Sequence, residues 1–334
     1  MHTRFTAAAH PNLAFVKYWG KADEKLNIPT NSSISVNLSG ATTITSVTFS
    51  PDFVADSVMI DGQIANSDAH EKVVRHLDRV RQLANLDNRA IVESKNDFPS
   101  SAGIASSASA FAALSLAASM AAGLNLSERE LSILARKGSG SACRSIPGGF
   151  VEWVAGDSDD TSYAKQVAAS TYWDIKITTA IIDKQAKNIS SSIGHRAAIT
   201  SPFYQTRLCN LTETLDTVRV ALLERDIQKL GMAVEREAIS MHAVAMTSFV
   251  KDRDWLSGIY YWNPATLILI QAVQQWRHEG LEVYFTLDAG SNVHFLSEGK
   301  HQIELEQELQ LLLQNIGGSL IISEPGDGAW VVTE

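Results

Sequence analysis

The sequence predicts an α+β fold made of two sheet-and-helix halves that divide near residue 170. Two observations carry this. Segments with the two-residue alternation of strands are mixed along the chain with segments of helical period. A strong strand pattern at 175–182 then opens a second series after the first half has supplied strands and helices of its own.

The elements follow in order. Residues 42–49 alternate polar and apolar side chains as a strand does, and 58–60 run into Asp61-Gly62, the dipeptide of a tight hairpin turn. Val73, Val74, Leu77, Val80 and Leu83 share one face of a helix predicted over 69–83, and 90–93 reads as a strand leading into a loop of small residues. No charged side chain occurs between Asp97 and Glu128, and Ser107, Phe111, Leu114, Ala118 and Ala121 keep the helical period, which predicts a buried helix. Its Ala and Ser content, with Pro99, Gly103 and Gly123, lacks the Leu/Ile/Phe density of a membrane span. A short helix at 128–137, a glycine-serine segment at 138–141 and a strand at 150–154 complete the first half. In the second half helical patterns run from 208 to about 246 and from 264 to 278, the latter with Pro264 at a favourable helix start. A strand at 283–287 meets Asp288-Ala289-Gly290, another follows at 293–296, a helix covers 302–314, and two short strands finish the chain.

At 334 residues, 45% hydrophobic and 19% charged, the chain has the composition of an ordinary globular protein with room for two cores. Its net charge of −9 argues against nucleic-acid or membrane-surface partners, so an anionic ligand has to be held by a local cluster of cations. Cys143 and Cys209 form no Cys-x-x-Cys pair, which points to a reducing compartment without structural zinc. The alanine run near the N-terminus is cut short by His10 and Pro11, too early for a signal peptide, and a cytoplasmic protein is expected.

The most informative stretch is 99–109, a small-residue loop joined directly to a helix that begins with serines. Free backbone N–H groups and the positive end of the helix dipole favour an anion there, and small side chains let it approach. Seryl hydroxyls add hydrogen bonds or bind a phosphate-bound metal. A serine-capped helix packed on a sheet has the same local pattern, so the loop needs company. No Walker loop and no Gly-x-Ser-x-Gly elbow is present, and Gly138-Ser139-Gly140-Ser141-Ala142-Cys143 has Cys143 where a dinucleotide motif needs its third glycine. Four other clusters offer chemistry: Lys17-Tyr18-Trp19-Gly20-Lys21, Ser139-Gly140-Ser141 with Arg144, Ser190 through His195, and Asp288 beside a glycine. Taken singly each has a plain alternative: surface lysines, a loop arginine in an ion pair, a hydroxyl-rich turn, a turn-capping aspartate. Beside lysine and arginine in a phosphate pocket, Asp288 becomes a candidate base or charge organiser.

His10-Pro11-Asn12, Lys17-Tyr18-Trp19-Gly20-Lys21, Asn31-Ser32-Ser33-Ile34-Ser35, the 99–109 loop, Gly138-Ser139-Gly140-Ser141 with Arg144-Ser145 and Gly148-Gly149, and Asp288-Ala289-Gly290 stand in this order along nearly the whole chain. Together they closely resemble the mevalonate diphosphate decarboxylases of the GHMP kinase superfamily. The resemblance implies a GHMP kinase-like fold with mixed or antiparallel sheets, an ATP-binding domain at 1–170, a C-terminal domain at 171–334, and the active site in the cleft between them. It implies an ATP-dependent decarboxylation in isoprenoid synthesis, in which the substrate's tertiary C3 hydroxyl is phosphorylated and phosphate and CO₂ are then lost to give an alkene. Catalytic roles fall on Asp288, facing that hydroxyl, on Lys17, and on Arg144, which also binds the substrate carboxylate. Lys17, Tyr18 and Lys21 match the segment that holds the substrate's phosphate end, with Ser139, Gly140, Ser141 and Ser191 supplying hydroxyls and amides. ATP falls to Ser94, Asn96, Pro99, Gly103, Ala105, Ser106, Ser107 and Ser109, with Mg²⁺ carried on its phosphates near Ser106 or Ser107.

Three positions depart from the family pattern. Ser291 replaces the proline after Asp-Ala-Gly, His294 stands where many relatives place lysine, and Ser192 stands where some carry an arginine near the terminal phosphate. Fewer cations there keep a monophosphate substrate open beside the diphosphate. A GHMP small-molecule kinase and a non-catalytic nucleotide-binding relative are the more remote readings, and a homodimer is the expected assembly if there is one.

Overall fold

The computed structural model describes residues 3–98, 106–183, 189–250 and 258–333. The chain runs β1 (Thr3–Ala9), β2 (Asn12–Val16), β3 (Lys21–Asp23), β4 (Ile28–Pro29), β5 (Ser33–Asn37), β6 (Thr43–Ser50), β7 (Ser57–Ile60), β8 (Gln63–Ile64), α1 (Ser67–Ala84), β9 (Arg89–Asn96), α2 (Ser106–Ala121), α3 (Glu128–Gly138), β10 (Phe150–Val154) and β11 (Tyr163–Ala168). It continues with β12 (Ile175–Ile181), α4 (Ser191–Ala197), α5 (Tyr204–Glu224), α6 (Ile227–Thr247), α7 (Pro264–His278), β13 (Tyr284–Thr286), β14 (Val293–Glu298), α8 (Gln302–Ile316), β15 (Ser319–Ser323) and β16 (Trp330–Val331). This is the α+β architecture of mixed and antiparallel sheets that the sequence predicts.

A six-stranded sheet, ordered β16-β1-β6-β9-β7-β8, is antiparallel except for the β7–β9 pair. Asp61 and Gly62 both take positive φ and close the β7–β8 hairpin, the geometry the Asp-Gly pair favours. Helix α2 lies on this sheet. Its buried Ala108, Ala112, Ala113, Ala117 and Ala118 carry so little bulk that the helix backbone approaches β1 and β6 closely, and α1 and α3 pack around it. Helix α3 starts in a capping box between Ser127 and Glu130, and α7 starts at Asn263 with Pro264 in its first turn.

Two four-stranded sheets, β11-β10-β5-β2 and β13-β14-β12-β15, complete the frame. A division near residue 170 falls between them in sequence, yet one hydrophobic core crosses it. Leu13, Phe15, Ile34 and Phe150 pack in the same cluster as Ile175, Ile177, Leu211, Val218, Leu230 and Leu296. The helical pattern over 208–246 resolves into two helices: Arg225 takes the left-handed conformation that ends α5, and the Asp226 side chain accepts the Lys229 N–H to start α6. Their antiparallel pairing carries residues from α5 and α6 against β2, which positions the site described below.

Helix α6 meets β13 at Gly231, where an added Cβ would come 2.0 Å from Cγ of the buried Tyr284 ring. Gly231→Ala is expected to lower the unfolding free energy by about 1–3 kcal/mol through overpacking, outweighing its ~1 kcal/mol gain in helix propensity. Denaturant midpoints measure this. Tyr284→Ala removes the clashing Cγ and Cδ atoms, so Gly231→Ala should cost little in that background, whereas an equal cost there would place the clash elsewhere.

Candidate active site

Lys17 leaves the end of β2 and points inward, 3% exposed, donating from Nζ to Asp288 Oδ1 at 2.8 Å and to the Ala14 carbonyl at 2.5 Å. Its backbone is fixed on both sides. The Lys17 N–H donates to Glu237 Oε1 of α6 at 2.9 Å, and its carbonyl accepts from Arg207 of α5 at 2.9 Å and Asn31 at 3.0 Å. Arg207 and Glu237 are themselves a buried ion pair. Asp288 follows β13 in a turn closed by the Gly290 N–H on its carbonyl at 2.7 Å, with His242 Nε2 3.1 Å from the same oxygen. Burial pushes the Lys17 ammonium down from its ordinary range, and the Asp288 carboxylate, followed by Glu237, opposes that shift.

Arg144 sits in a 3₁₀ turn, Gly140–Ser145, and is buried. Its Nε donates to Asn12 Oδ1 at 3.1 Å and Nη1 to Ser33 Oγ at 2.7 Å, while Trp153 lies under the guanidinium at 5.7 Å. Asn12 returns two donations, to the Ser141 carbonyl and Ser145 Oγ, so the turn is pinned to the start of β2. Burial lowers the Arg144 pKa, with Asp288 among the groups that oppose the shift, and a guanidinium keeps its charge.

The Tyr18 ring is held between Trp153 and His195, with centroids 4.7 Å and 4.1 Å away, and against Gly140, whose added Cβ would lie 2.8 Å from it. Its hydroxyl is buried without a hydrogen-bond partner among the described residues, and burial pushes the phenol pKa up, so it stays a donor. Lys21 donates to Asn27 Oδ1 at 2.6 Å, and burial lowers its pKa, with nearby Glu24 opposing. Ser191 and Ser192 are exposed at the start of α4, whose N-cap is Ser190.

On the other side, Ser106 and Ser107 open α2, and Ser139 Oγ donates to Ser107 Oγ at 3.3 Å, joining that helix start to the 138–141 segment. Ser109 is fully buried and faces the sheet, 2.7 Å from Thr43 Oγ1, which in turn donates to Asn96 Oδ1. Ser94 pairs with Thr45 at 2.9 Å and lines a mainly apolar cavity of about 300 Å³ with Val58, Ile60, Lys72, Phe111 and Leu114. Such a slot with a few polar groups suits a planar heteroaromatic ring. Pro99, Gly103 and Ala105 lie outside the described residues. His294 is buried in the C-terminal sheet, 2.8 Å from Thr179 Oγ1.

These groups come from five separated stretches of chain and are linked by the contacts above: a carboxylate balanced by a buried ammonium, a guanidinium, a hydroxyl-rich turn and a helix start. Family models match the chain twice, as a diphosphomevalonate decarboxylase-like N-terminal domain over residues 9–164 and a mevalonate 5-diphosphate decarboxylase C-terminal domain over 177–319. The diphosphomevalonate decarboxylase of Saccharomyces cerevisiae is 35% identical over 327 residues, 90% of this chain and 80% of that one. The chain belongs to the diphosphomevalonate decarboxylase family. The phosphomevalonate decarboxylase of Haloferax volcanii is 33% identical over 303 residues, 90% of each chain. Among solved structures, the mevalonate diphosphate decarboxylase of Enterococcus faecalis is 37% identical with a TM-score of 0.91, covering 100% of both chains. A complex with MVAPP, AMPPCP and magnesium is 38% identical with a TM-score of 0.92, again over 100% of both. No helix among the described residues is long and apolar enough to cross a membrane.

Sequence motifs pointed to neither Arg207 nor Glu237, which lie inside long helices, and gave no role to Asn12 or Ser33. His195 is half-buried and neutral. It accepts the Gly20 N–H at Nδ1, 3.0 Å, and burial, then Lys21, Arg207 and Arg144, push its pKa down to about 3. Burial beside Arg79 pushes His76 down to about 3 as well. Both lie below the unfolded value of 6.5, so their stabilisation is complete above pH 6.5 and is lost as the pH falls toward 3. Chemical unfolding midpoints are expected to decline below that pH. In His195→Asn the dependence should be shallower by up to one proton, about 1.4 kcal/mol per pH unit. An unchanged slope would mean that His195 charges freely in the folded state.

Proposed function

We propose that this chain catalyses the ATP-dependent decarboxylation of mevalonate 5-diphosphate to isopentenyl diphosphate, releasing ADP, phosphate and CO₂. The observation that carries the reading is the Lys17–Asp288 pair at 2.8 Å beside a buried Arg144, whose turn is tied through Ser139 to the seryl start of α2. A tertiary hydroxyl is a poor leaving group, and phosphorylation makes it a good one. Asp288 receives the C3 hydroxyl proton or aligns it as the oxygen attacks the γ-phosphoryl group. Lys17 balances the charge of that carboxylate and orients it. Arg144 holds the substrate carboxylate; when the phosphate leaves C3, the electrons of the breaking carbon–carboxyl bond form the alkene and CO₂ departs. Tyr18, Lys21, Ser139, Gly140, Ser141 and Ser191 serve the phosphate end.

ATP binds, on this reading, with its base in the cavity beside Ser94 and Asn96 and its phosphates at Ser106 and Ser107. Among the described residues no group of three or more His, Cys, Asp or Glu side chains is placed to hold a metal. Hard hydroxyl oxygens at Ser106 or Ser107 suit Mg²⁺ carried on the nucleotide, where the ion neutralises charge on the transferring phosphoryl group. On this reading residues 1–170 are the ATP-binding domain and 171–334 the second domain, with the site between them, except that β16 returns to add a strand to the first domain's sheet. The phosphorylated mevalonate and ATP are the partners, and a homodimer in the cytoplasm is the proposed setting. The monophosphate is the second reading. It is favoured by Ser192, an uncharged residue at the start of α4, and by the phosphomevalonate decarboxylase relative.

Asp288→Asn is expected to lower kcat by about 10²-fold or more while leaving substrate and ATP binding in place. ADP and CO₂ assays on the diphosphate and on the monophosphate read this directly, and near-normal turnover would remove Asp288 from the chemistry. CO₂ release from neither substrate would return the chain to a kinase or a binding relative. The same pair of substrates tests Ser192→Arg. An added charge-assisted contact of about 1.5–3 kcal/mol should raise kcat/KM for the diphosphate about tenfold or more over the monophosphate. Equal changes on both would show that position 192 does not meet the terminal phosphate.

A further inference from the structure

One side chain of α4 touches three consecutive residues of the Lys17–Lys21 segment. His195 packs on Tyr18 in a tilted arrangement with centroids 4.1 Å apart, packs on Trp19 in the same way at 4.7 Å, and accepts the Gly20 N–H at Nδ1, 3.0 Å. The surroundings leave this arrangement little play. Gly20 has φ +110°, which turns its N–H to the ring, and a Cβ there would come 2.1 Å from the Tyr204 hydroxyl. Gly194, next to His195, would place a Cβ 2.5 Å from the Trp19 ring and 2.8 Å from the Tyr261 hydroxyl, so α4 presses its backbone directly on Trp19. On its far side Tyr18 is closed off by Trp153 and Gly140, and its hydroxyl, buried and without a protein partner among the described residues, is a donor awaiting an acceptor.

We propose that His195 is a positioning residue for the substrate: it locks the Tyr18–Lys21 strap to α4, so that the Tyr18 hydroxyl and the Lys21 ammonium meet the substrate's phosphate end as one preformed surface. This rests on the reading of the cleft as a phosphorylated-mevalonate site. The lock needs a neutral ring, because Nδ1 must keep its lone pair for Gly20. The charged groups around it enforce that state: Lys21 on the strap, Arg207 on α5 and Arg144 in the 3₁₀ turn are all cations, and a protonated imidazole would add a fourth. Positioning of this kind acts on binding of the substrate and not on ATP, whose groups lie at α2 and beyond Ser139. It is distinct from the chemistry, which belongs to Asp288 and Lys17.

Three substitutions separate the contacts. His195→Ala removes ring and acceptor, His195→Phe keeps the packed ring without the acceptor, and His195→Asn keeps an acceptor near the Nδ1 position without the ring. Initial rates are followed as ADP formation, so the measurement does not depend on decarboxylation, and CO₂ release by the unaltered protein separately tests the reaction itself. His195→Ala is expected to raise KM for the phosphorylated mevalonate about tenfold, with kcat, KM for ATP and the thermal midpoint close to those of the unaltered protein. Phe and Asn should each recover part of that loss. If His195→Ala fails to fold, His195→Phe still decides the matter, since it retains the packing and should raise the substrate KM alone. An unchanged substrate KM, or equal increases in both KM values together with a lower thermal midpoint, would overturn the proposal.

Discussion

Burying an ammonium group is the constraint on which this site depends. Taking Lys17 out of water costs far more than one surface ion pair returns, and it is tolerated only where partners are fixed in advance. Asp288 supplies the charge, and the Ala14 carbonyl supplies a further acceptor. What holds Lys17 itself is less visible: Glu237 and Arg207 grip its peptide groups from two neighbouring helices, and each of those residues neutralises the other. The antiparallel packing of α5 on α6, the approach of α6 to β2 and the turn after β13 therefore all bear on one nitrogen. A shift in any of them moves the carboxylate that faces the substrate.

The hydrophobic framework makes such fixing possible. If each half closed on a core of its own, Lys17 and Asp288 would sit on bodies free to move relative to one another, as domains with small interfaces do. Instead Leu13 and Phe15 of β2 share a cluster with Leu211 of α5 and Leu230 of α6. The strand that ends at Lys17 is thus packed against the very helices that clamp it. Geometry at the ion pair is inherited from close packing, which yields little to small forces.

Much of the site could be read from the sequence where function compresses several polar groups into a short run. Lys17 to Lys21, Ser139 to Arg144 and the turn at Asp288 each violate the ordinary pattern of a core element, and that violation is the signal. Arg207 and Glu237 break nothing visible: one charged residue in each of two amphipathic helices looks like solvent-facing polarity until the helices are packed. Asn12 and Ser33 stood inside recognisable motifs, yet their task, orienting Arg144, is a matter of three-dimensional contact. Ser109 lay in the phosphate loop by sequence but turns to Thr43, because the helical period carries it to the sheet side of α2. The fold was legible for the same reason in reverse. Alternation and period marked most strands and helices, while the alanine-rich β1 and the break at Arg225 carried little pattern of their own.

The last strand has a consequence for how the molecule comes together. β16 pairs with β1 through Ala7–Val331 and Ala8–Trp330, and the run before it donates to Asn37 and accepts from Gly149 through Gly326. β1 therefore gains its partner on this edge, at Ala7 and Ala8, only when β16 arrives from far downstream. Until then that edge of β1 is open, a template for pairing with another copy. Closure over so long a loop is slow compared with helix formation, so the interval is set by synthesis and topology together. The order of the strands therefore sets how long that edge stays open.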